Sequence, residues 1–121
     1  MYELERSLPP DSELLLDLAI DSWKFARLFS RVLTKLEAGE HNRFANQLLY
    51  FQRRIDSTLS AIGARLESLE GLPFEAGMAA SPLNLQDFQD GDLLVIDQML
   101  EPIVMGPEGV LRMGTLMLRK V

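Results

Sequence analysis

Apolar residues in the first half of this chain recur at steps of three and four positions, the pattern of helices with one apolar face. Gly39 is the only glycine or proline between residues 11 and 62, so nothing else in this stretch interrupts a helix. Asp11 or Ser12 can cap the first amide groups of such a helix. The pattern therefore predicts two helices, the first of which stops at Gly39 in a left-handed conformation.

Each predicted helix has its own apolar series. In the first, Phe25, Phe29, Val32 and Leu36 alternate steps of four and three, which predicts a seam against another helix. The second helix is predicted over residues 42–62 and is about 30 Å long. Its apolar positions are Phe44, Leu48, Phe51, Ile55, Leu59 and Ile62, and the same step reaches Leu66 and Leu69 if the helix continues.

A single pair of helices this long cannot enclose a core between stripes this broad. Two such hairpins can, and the simplest closed solution is a twofold dimer whose four helices form a bundle. We therefore predict a homodimer through the helical region. The predicted dimer-interface residues are Phe25, Phe29, Val32, Leu36, Leu48, Phe51, Ile55 and Leu59.

The second half of the chain is divided by prolines and glycines into short apolar runs, which are typical of strands. Strands are predicted over residues 93–100, 103–105, 110–113 and 115–121, with a turn over 106–109. The whole is an α+β arrangement with a small, mostly antiparallel β domain. We predict an N-terminal tail over 1–10, a helical dimerisation region over 11–70 and the β domain over 71–121.

Composition excludes several classes of protein. The 121 residues include no cysteine, which excludes disulfide scaffolds, thiolate metal sites and cysteine nucleophiles. The net charge of −6 argues against binding to nucleic acid, because that affinity depends on cationic contacts to phosphates. No run approaches the ~20 apolar residues of a membrane span, and the acidic start differs from a signal peptide. We expect a soluble, cytoplasmic protein without membrane contact.

Charge is unevenly distributed along the chain. Residues 24–65 carry eight basic and three acidic side chains, whereas residues 67–108 carry nine acidic side chains and no lysine or arginine. Two readings stay open. The two stretches are solvated faces of one fold, or the acidic one is a surface that steers a basic partner.

The sequence presents no catalytic or ligand-binding motif. His41 is the only histidine, no spacing marks it as a base, and we interpret it as a solvated loop residue. Residues 86–92 resemble a calcium loop, but Gln86 and Phe88 stand where its first oxygen ligands belong. We interpret that segment as an acidic turn. The sequence predicts no enzyme, no metal or cofactor and no small-molecule substrate.

Four motifs in the second half resemble the GrpE family. Residues 110–118, VLRMGTLML, resemble its closing strand, in which Val-Leu-Arg-Pro-Ala precedes alternating apolar residues. Residues 96–102 resemble its preceding apolar strand, which places that family's Gly-Tyr turn at residues 103–104. Residues 73–75, Pro-Phe-Glu, resemble its Pro-Phe-Asp, and Gly63 stands where a glycine closes its last helix. In this order and spacing, the motifs cover residues 42–121.

The resemblance implies a function. GrpE proteins are dimeric co-chaperones that bind the ATPase domain of DnaK-type chaperones, open its nucleotide cleft and speed ADP release, with no enzymatic activity of their own. Their β domain makes the main contact and their helices form the dimer. The implied partner-binding residues here are Glu75, Glu101, Pro102, Arg112 and Met113, with Gly63 as a structural hinge.

This chain also departs from the family pattern. It lacks the long N-terminal paired helix, Ala79-Ala80-Ser81 replaces a His-Glu-Ala signature, and Met113-Gly114 replaces Pro-Ala. Two alternatives therefore stay open. One is a GrpE-like binding module without exchange activity. The other is a small acidic dimeric chaperone of the secretion type, whose usual order of helix, strands and final helix differs from that predicted here.

Overall fold

The protein is described by a computed structural model over residues 11–121, and the predicted tail at 1–10 lies outside the described residues. The fold is α+β, with two helices followed by six strands. It divides into a helical unit that ends at Ala64 and a β unit over Arg65–Val121. This division precedes the predicted one at residue 70, because the chain enters its first strand at Arg65.

The helical unit is a hairpin of α1, Ser12–Leu33, and α2, Ala38–Ser60. The prediction that Gly39 stops the first helix is wrong, since Gly39 lies in the first turn of α2 and its φ is not positive. The chain reverses instead over residues 34–37, where Glu37 has an extended backbone and precedes α2 as its N-cap residue. A link of this kind needs no left-handed residue.

His41 joins the two helices at this reversal. Its Nδ1 lies 2.8 Å from the carbonyl oxygen of Leu33, the last residue of α1, and it is half-buried in the first turn of α2. The interpretation of His41 as a solvated loop residue is therefore wrong. The carbonyl of Leu33 also accepts a hydrogen bond from the amide of Leu36 at 3.1 Å, so the ring of His41 is its second partner at the C-terminus of α1.

The C-terminus of α2 lies at Ser60. The amide of Gly63 bonds the carbonyl of Ser60 at 3.0 Å, and Gly63 has a φ of 76°, the left-handed conformation that glycine adopts most readily. The helix does not continue to Leu66 and Leu69, a possibility that the sequence left open, since Leu66 lies in the first strand.

The β unit contains six strands: β1 Arg65–Glu67, β2 Ala80–Pro82, β3 Leu94–Glu101, β4 Ile103–Gly106, β5 Gly109–Arg112 and β6 Gly114–Lys120. The last four confirm the predicted strands to within one or two residues at each end. The sequence did not predict β1 and β2, which have three residues each.

The strands form two sheets of three, ordered β1-β4-β5 and β2-β6-β3, and all pairs except β2 with β6 are antiparallel. The two sheets share one long ribbon. Glu101 pairs with Thr115 and Val104 pairs with Arg112, so the strand pair β3 and β6 continues directly into β4 and β5. The ribbon leaves one sheet and enters the other at Pro102 and Met113, and it turns back at residues 107–108.

The resemblance placed a turn at Ile103 and Val104, and this expectation is wrong. Both residues lie in β4 and are at most 2% exposed. Together with Ile96, Met99, Leu116 and Leu118 they form the core of the β unit.

A second segment runs along the outer edge of β3. The amide of Phe74 bonds the carbonyl of Leu94 at 3.0 Å, and Leu72 accepts from the amide of Ile96 at 2.9 Å. Further along, the carboxylate of Glu70 accepts a hydrogen bond from the amide of Met99 at 2.7 Å. This edge of β3 is therefore occupied by the protein itself.

Candidate partner-binding surface

Four of the five predicted partner-binding residues meet at the bend of the ribbon. Glu101 ends β3, Pro102 links β3 to β4, Arg112 ends β5, and Met113 links β5 to β6. The register brings them together, because Glu101 pairs with Thr115 and Arg112 pairs with Val104. We call these four residues the corner.

The corner residues differ in what they present to a partner. Met113 is 54% exposed, and Glu101 and Arg112 are half-buried. Pro102 is fully buried, so it has no surface with which to bind anything. Burial therefore assigns Pro102 to the core of the bend and leaves the other three as candidates.

Glu75 lies apart from the corner. It is exposed and follows Phe74, whose amide bonds Leu94 at the first residue of β3, whereas Glu101 is the last residue of that strand. The strand separates the two ends by about 20 Å. The structure does not bring Glu75 into the same surface.

The sequence missed two residues beside the corner, Val110 and Leu111, which are both exposed on β5. Alternation along a strand predicts that one of two neighbours points inward. A bulge breaks the alternation: Val104 pairs with Arg112 and Met105 pairs with Val110, which leaves Leu111 without an opposite residue. Val110, Leu111 and Met113 therefore form an exposed apolar set, which we call the β5 strip.

The β5 strip also lies on an open sheet edge. β5 pairs with β4 on one side, and no strand within residues 11–121 pairs with its other side. Methionine, arginine and aromatic side chains are enriched at protein interfaces, and apolar side chains on an open edge favour contact with another chain.

Close packing fixes the bend. A Cβ atom built on Gly114 would lie 2.8 Å from the carbonyl oxygen of Glu101 and 2.8 Å from Cε of Met99. The amide of Gly114 also bonds the carbonyl of Ala79 at 3.0 Å. The glycine that replaces the family's alanine at this point therefore has a physical reason, since a Cβ atom does not fit here.

The β unit is acidic. It contains nine acidic and four basic side chains, a net charge of −5. Three of the basic side chains form ion pairs at the surface: Arg65 with Glu67 at 2.7 Å, Arg119 with Asp97 at 3.2 Å and Lys120 with the half-buried Asp92 at 3.6 Å. The fourth basic side chain, Arg112 at the corner, also has an interaction partner within the protein. Surface pairs of this kind add little stability, and the net field favours a basic partner.

In the segment that resembles a calcium loop, the carboxylate of Asp92 contacts other groups of the protein. Oδ2 of Asp92 accepts a hydrogen bond from the amide of Gln89 at 2.8 Å, and Oδ1 lies 3.6 Å from Nζ of Lys120. No group of three or more histidine, cysteine, aspartate or glutamate side chains in the described part of the chain is placed to hold a metal ion.

The helical hairpin exposes a second apolar surface. The rings of Phe25 and Phe29 stack with centroids 6.1 Å apart, and they line a pocket of about 140 Å³ together with Gln47, Leu48 and Phe51. The other side of the hairpin is polar, with a pocket lined by Ala26, Arg27, Ser30, Arg31 and Gln52. The guanidinium of Arg27 lies 4.7 Å above the ring of Trp23.

The predicted dimer-interface residues differ in how far each side chain is exposed in the single chain. Phe25, Val32 and Phe51 are exposed, and four more are half-buried: Phe29, Leu36, Leu48 and Ile55. Leu59 is only 1% exposed and has no surface left for a partner. The buried face of α1 is a different one and includes two alanines. Its apolar members are Leu16, Ala19, Ala26 and Leu33.

No helix among residues 11–121 combines the length and the apolar character that crossing a membrane requires. The fold and its surfaces define an α+β protein in which an apolar helical face and an apolar strand edge are both exposed. Comparison with models of protein families, with curated proteins and with solved structures finds no match for this chain.

Proposed function

We propose that this protein is a homodimeric co-chaperone that binds the ATPase domain of a DnaK-type chaperone through its β unit and promotes ADP release. The observation that carries the proposal is the exposure of the β5 strip beside Arg112, on the strand whose sequence resembles the GrpE closing strand. The family resemblance motivates the choice of partner.

The position of the motifs supports the proposal. Residues 96–101 and 110–112 lie in strands β3 and β5, and the two motifs meet at the corner. Gly63 lies just beyond the last residue of α2, where the resemblance places the glycine that closes a helix. A partner that contacts Glu101 and Arg112 therefore reaches both motifs at once.

The proposed role requires differential binding. An exchange factor shifts the ATPase toward its open cleft only by as much as it binds the open form better than the closed one. Coupling of the usual size, about 1–3 kcal/mol, weakens ADP binding by about 5- to 150-fold. The apolar β5 strip provides contact area for such binding, and the net charge of −5 on the β unit provides attraction for a basic surface.

The dimer in this proposal is formed by the helical hairpins. Phe25, Phe29, Leu48 and Phe51 line an apolar pocket that is open on one face of the hairpin, and Phe25 and Phe51 are exposed there. A second hairpin against this face gives a four-helix bundle.

The test is release of a fluorescent ADP analogue from each DnaK-type ATPase of the source organism, measured by stopped flow with and without the full chain. The proposal predicts faster release from one of them. If none responds while the protein is folded and dimeric, the exchange function is excluded and a binding module without exchange activity takes its place.

A further inference from the structure

Helix α1 and the turn that follows it carry opposite charges in their two halves. Residues 11–21 contain four acidic and no basic side chains, and residues 24–35 contain four basic and no acidic ones. The acidic set is Asp11, Glu13, Asp17 and Asp21, and the basic set is Lys24, Arg27, Arg31 and Lys35. Acids near the N-terminus and bases near the C-terminus suit the helix dipole, but four of each exceed what the terminal turns need.

An exposed apolar stripe runs along the same helix. Its members are between 46% and 69% exposed, and they are Leu14, Leu18, Phe25, Leu28 and Val32. Asp21 lies on the same stripe between Leu18 and Phe25, and with it the stripe advances in steps of four, three, four, three and four residues. This spacing reads the same in both directions, so the stripe matches itself when a second copy runs antiparallel.

In that antiparallel match, Leu14 lies opposite Val32 of the second copy and Leu18 lies opposite its Leu28. The charges match in the same register. Asp17 comes within one turn of the second copy's Arg31, and Asp21 comes within one turn of its Lys24. The twofold axis repeats each of these contacts. A parallel match instead places the four acids of one α1 beside the four acids of the other.

We propose that two copies of this chain associate through their α1 helices in antiparallel orientation, about a twofold axis perpendicular to the helices. The inference rests on the homodimer in the proposed function and adds its geometry. Within one chain α2 packs against a separate face of α1, which includes Leu16, Ala19 and Ala26. One α1 can therefore contact its own α2 and a second α1 at the same time, as the helices of a bundle do.

The chain contains no cysteine, so single cysteines report on this geometry without background. The two variants are Leu14→Cys and Val32→Cys, whose positions are about 27 Å apart along one helix and cannot form a disulfide within one chain. The proposal predicts that the mixed variants form a covalent dimer on mild oxidation and that each variant alone forms little. The proposal is overturned if Leu14→Cys forms a disulfide with its own second copy in preference to the mixed dimer. It is also overturned if the protein dimerises non-covalently but no mixed disulfide forms.

Charge reversal tests the same geometry independently. The acidic-half variant is Asp17→Lys with Asp21→Lys, and the basic-half variant is Lys24→Glu with Arg31→Glu. We expect each alone to dimerise about tenfold more weakly, because like charges then face each other. When the two variants are mixed, the heterodimer regains wild-type affinity, because the reversed half of each copy then faces opposite charge on the other. A mixture that binds no better than either variant overturns the proposal.

Failure of this inference and failure of the proposed function give different results. A wild-type dimer that speeds ADP release but lacks the mixed disulfide refutes only the antiparallel geometry. The mixed disulfide in a protein without effect on ADP release supports the geometry and refutes the exchange function.

Discussion

The side chain of Asn84 pairs with the backbone of Leu118 as a strand residue would. Its Nδ2 donates to the carbonyl oxygen of Leu118 at 2.9 Å, and its Oδ1 accepts from the amide of Leu118 at 2.9 Å. The amide of Leu83 also bonds the carbonyl of Leu116 at 3.0 Å. Asn84 therefore continues the pairing with β6 beyond the last residue of β2, Pro82.

Replacement of Asn84 by aspartate tests this pairing. The carboxylate keeps the acceptor for the Leu118 amide but faces the Leu118 carbonyl without a donor, so we expect a loss of about 1–3 kcal/mol in the free energy of unfolding of the β unit. Amide exchange in β3 and β6 measures it. Gln89→Glu, at an exposed position in the same unit, is the matched control and should change stability little. An equal effect of both substitutions contradicts the assigned role.

Replacement of Gly114 by alanine tests the packing of the bend. Its Cβ would meet the backbone of Glu101 at 2.8 Å, and we expect a loss of about 1–3 kcal/mol in the free energy of unfolding. The same substitution at Gly39 meets no atom within 4 Å and lies in the first turn of α2. Gly39→Ala should stabilise the helical unit by up to about 1 kcal/mol. Urea unfolding followed by circular dichroism gives the sign of each change.

Replacement of His41 by alanine removes the bond to the carbonyl of Leu33. We expect the helical unit to lose about 0.5–1.5 kcal/mol in its free energy of unfolding. Fluorescence of Trp23, the only tryptophan, follows this unit alone because Trp23 lies in α1. Asn42→Ala, at the exposed neighbouring position, is the control, and a loss as large there would show that the Leu33 bond is not the cause.

Replacement of Arg112 by glutamate separates binding from stability at the corner. Because Arg112 is half-buried and lies on the partner-facing strand in the proposed function, we expect weaker binding to the DnaK-type ATPase without unfolding of the β unit. Calorimetric titration measures the binding, and the melting temperature measures the fold. A melting temperature that collapses makes Arg112 a structural residue.

The sequence predicted elements that have a period and missed those that do not. Steps of three and four indicated both helices, and apolar runs between glycines and prolines indicated β3, β4, β5 and β6. β1 and β2 have three residues each, too few to show a period, and β2 ends in Pro82. The apolar spacing of the second helix also continues to Leu66. The helix itself ends earlier, because Gly63 has a left-handed backbone and Leu66 already lies in β1.

The candidate surface was predictable in part for the same reason. The motifs identified Arg112 and Met113, but the exposure of Val110 and Leu111 depends on a bulge that no alternation reveals. On α1, Phe25 and Val32 belong to one apolar series, while Ala19 and Ala26 belong to another. The buried side combines these alanines with Leu16 and Leu33, whereas Phe25 and Val32 stay exposed, and a list of apolar positions does not distinguish the two sides.

In the proposed function the β5 strip acts on a DnaK-type ATPase, and two variants compared in the ADP-release assay test this. Met113→Glu places a charge on the strip. Leu93→Glu makes a comparable change at a residue that is 75% exposed beyond the other end of β3. We expect wild-type acceleration with Leu93→Glu and at least a tenfold smaller effect with Met113→Glu, which corresponds to about 1.4 kcal/mol of lost binding free energy. Equal acceleration by both variants, or none by the wild type, would contradict it.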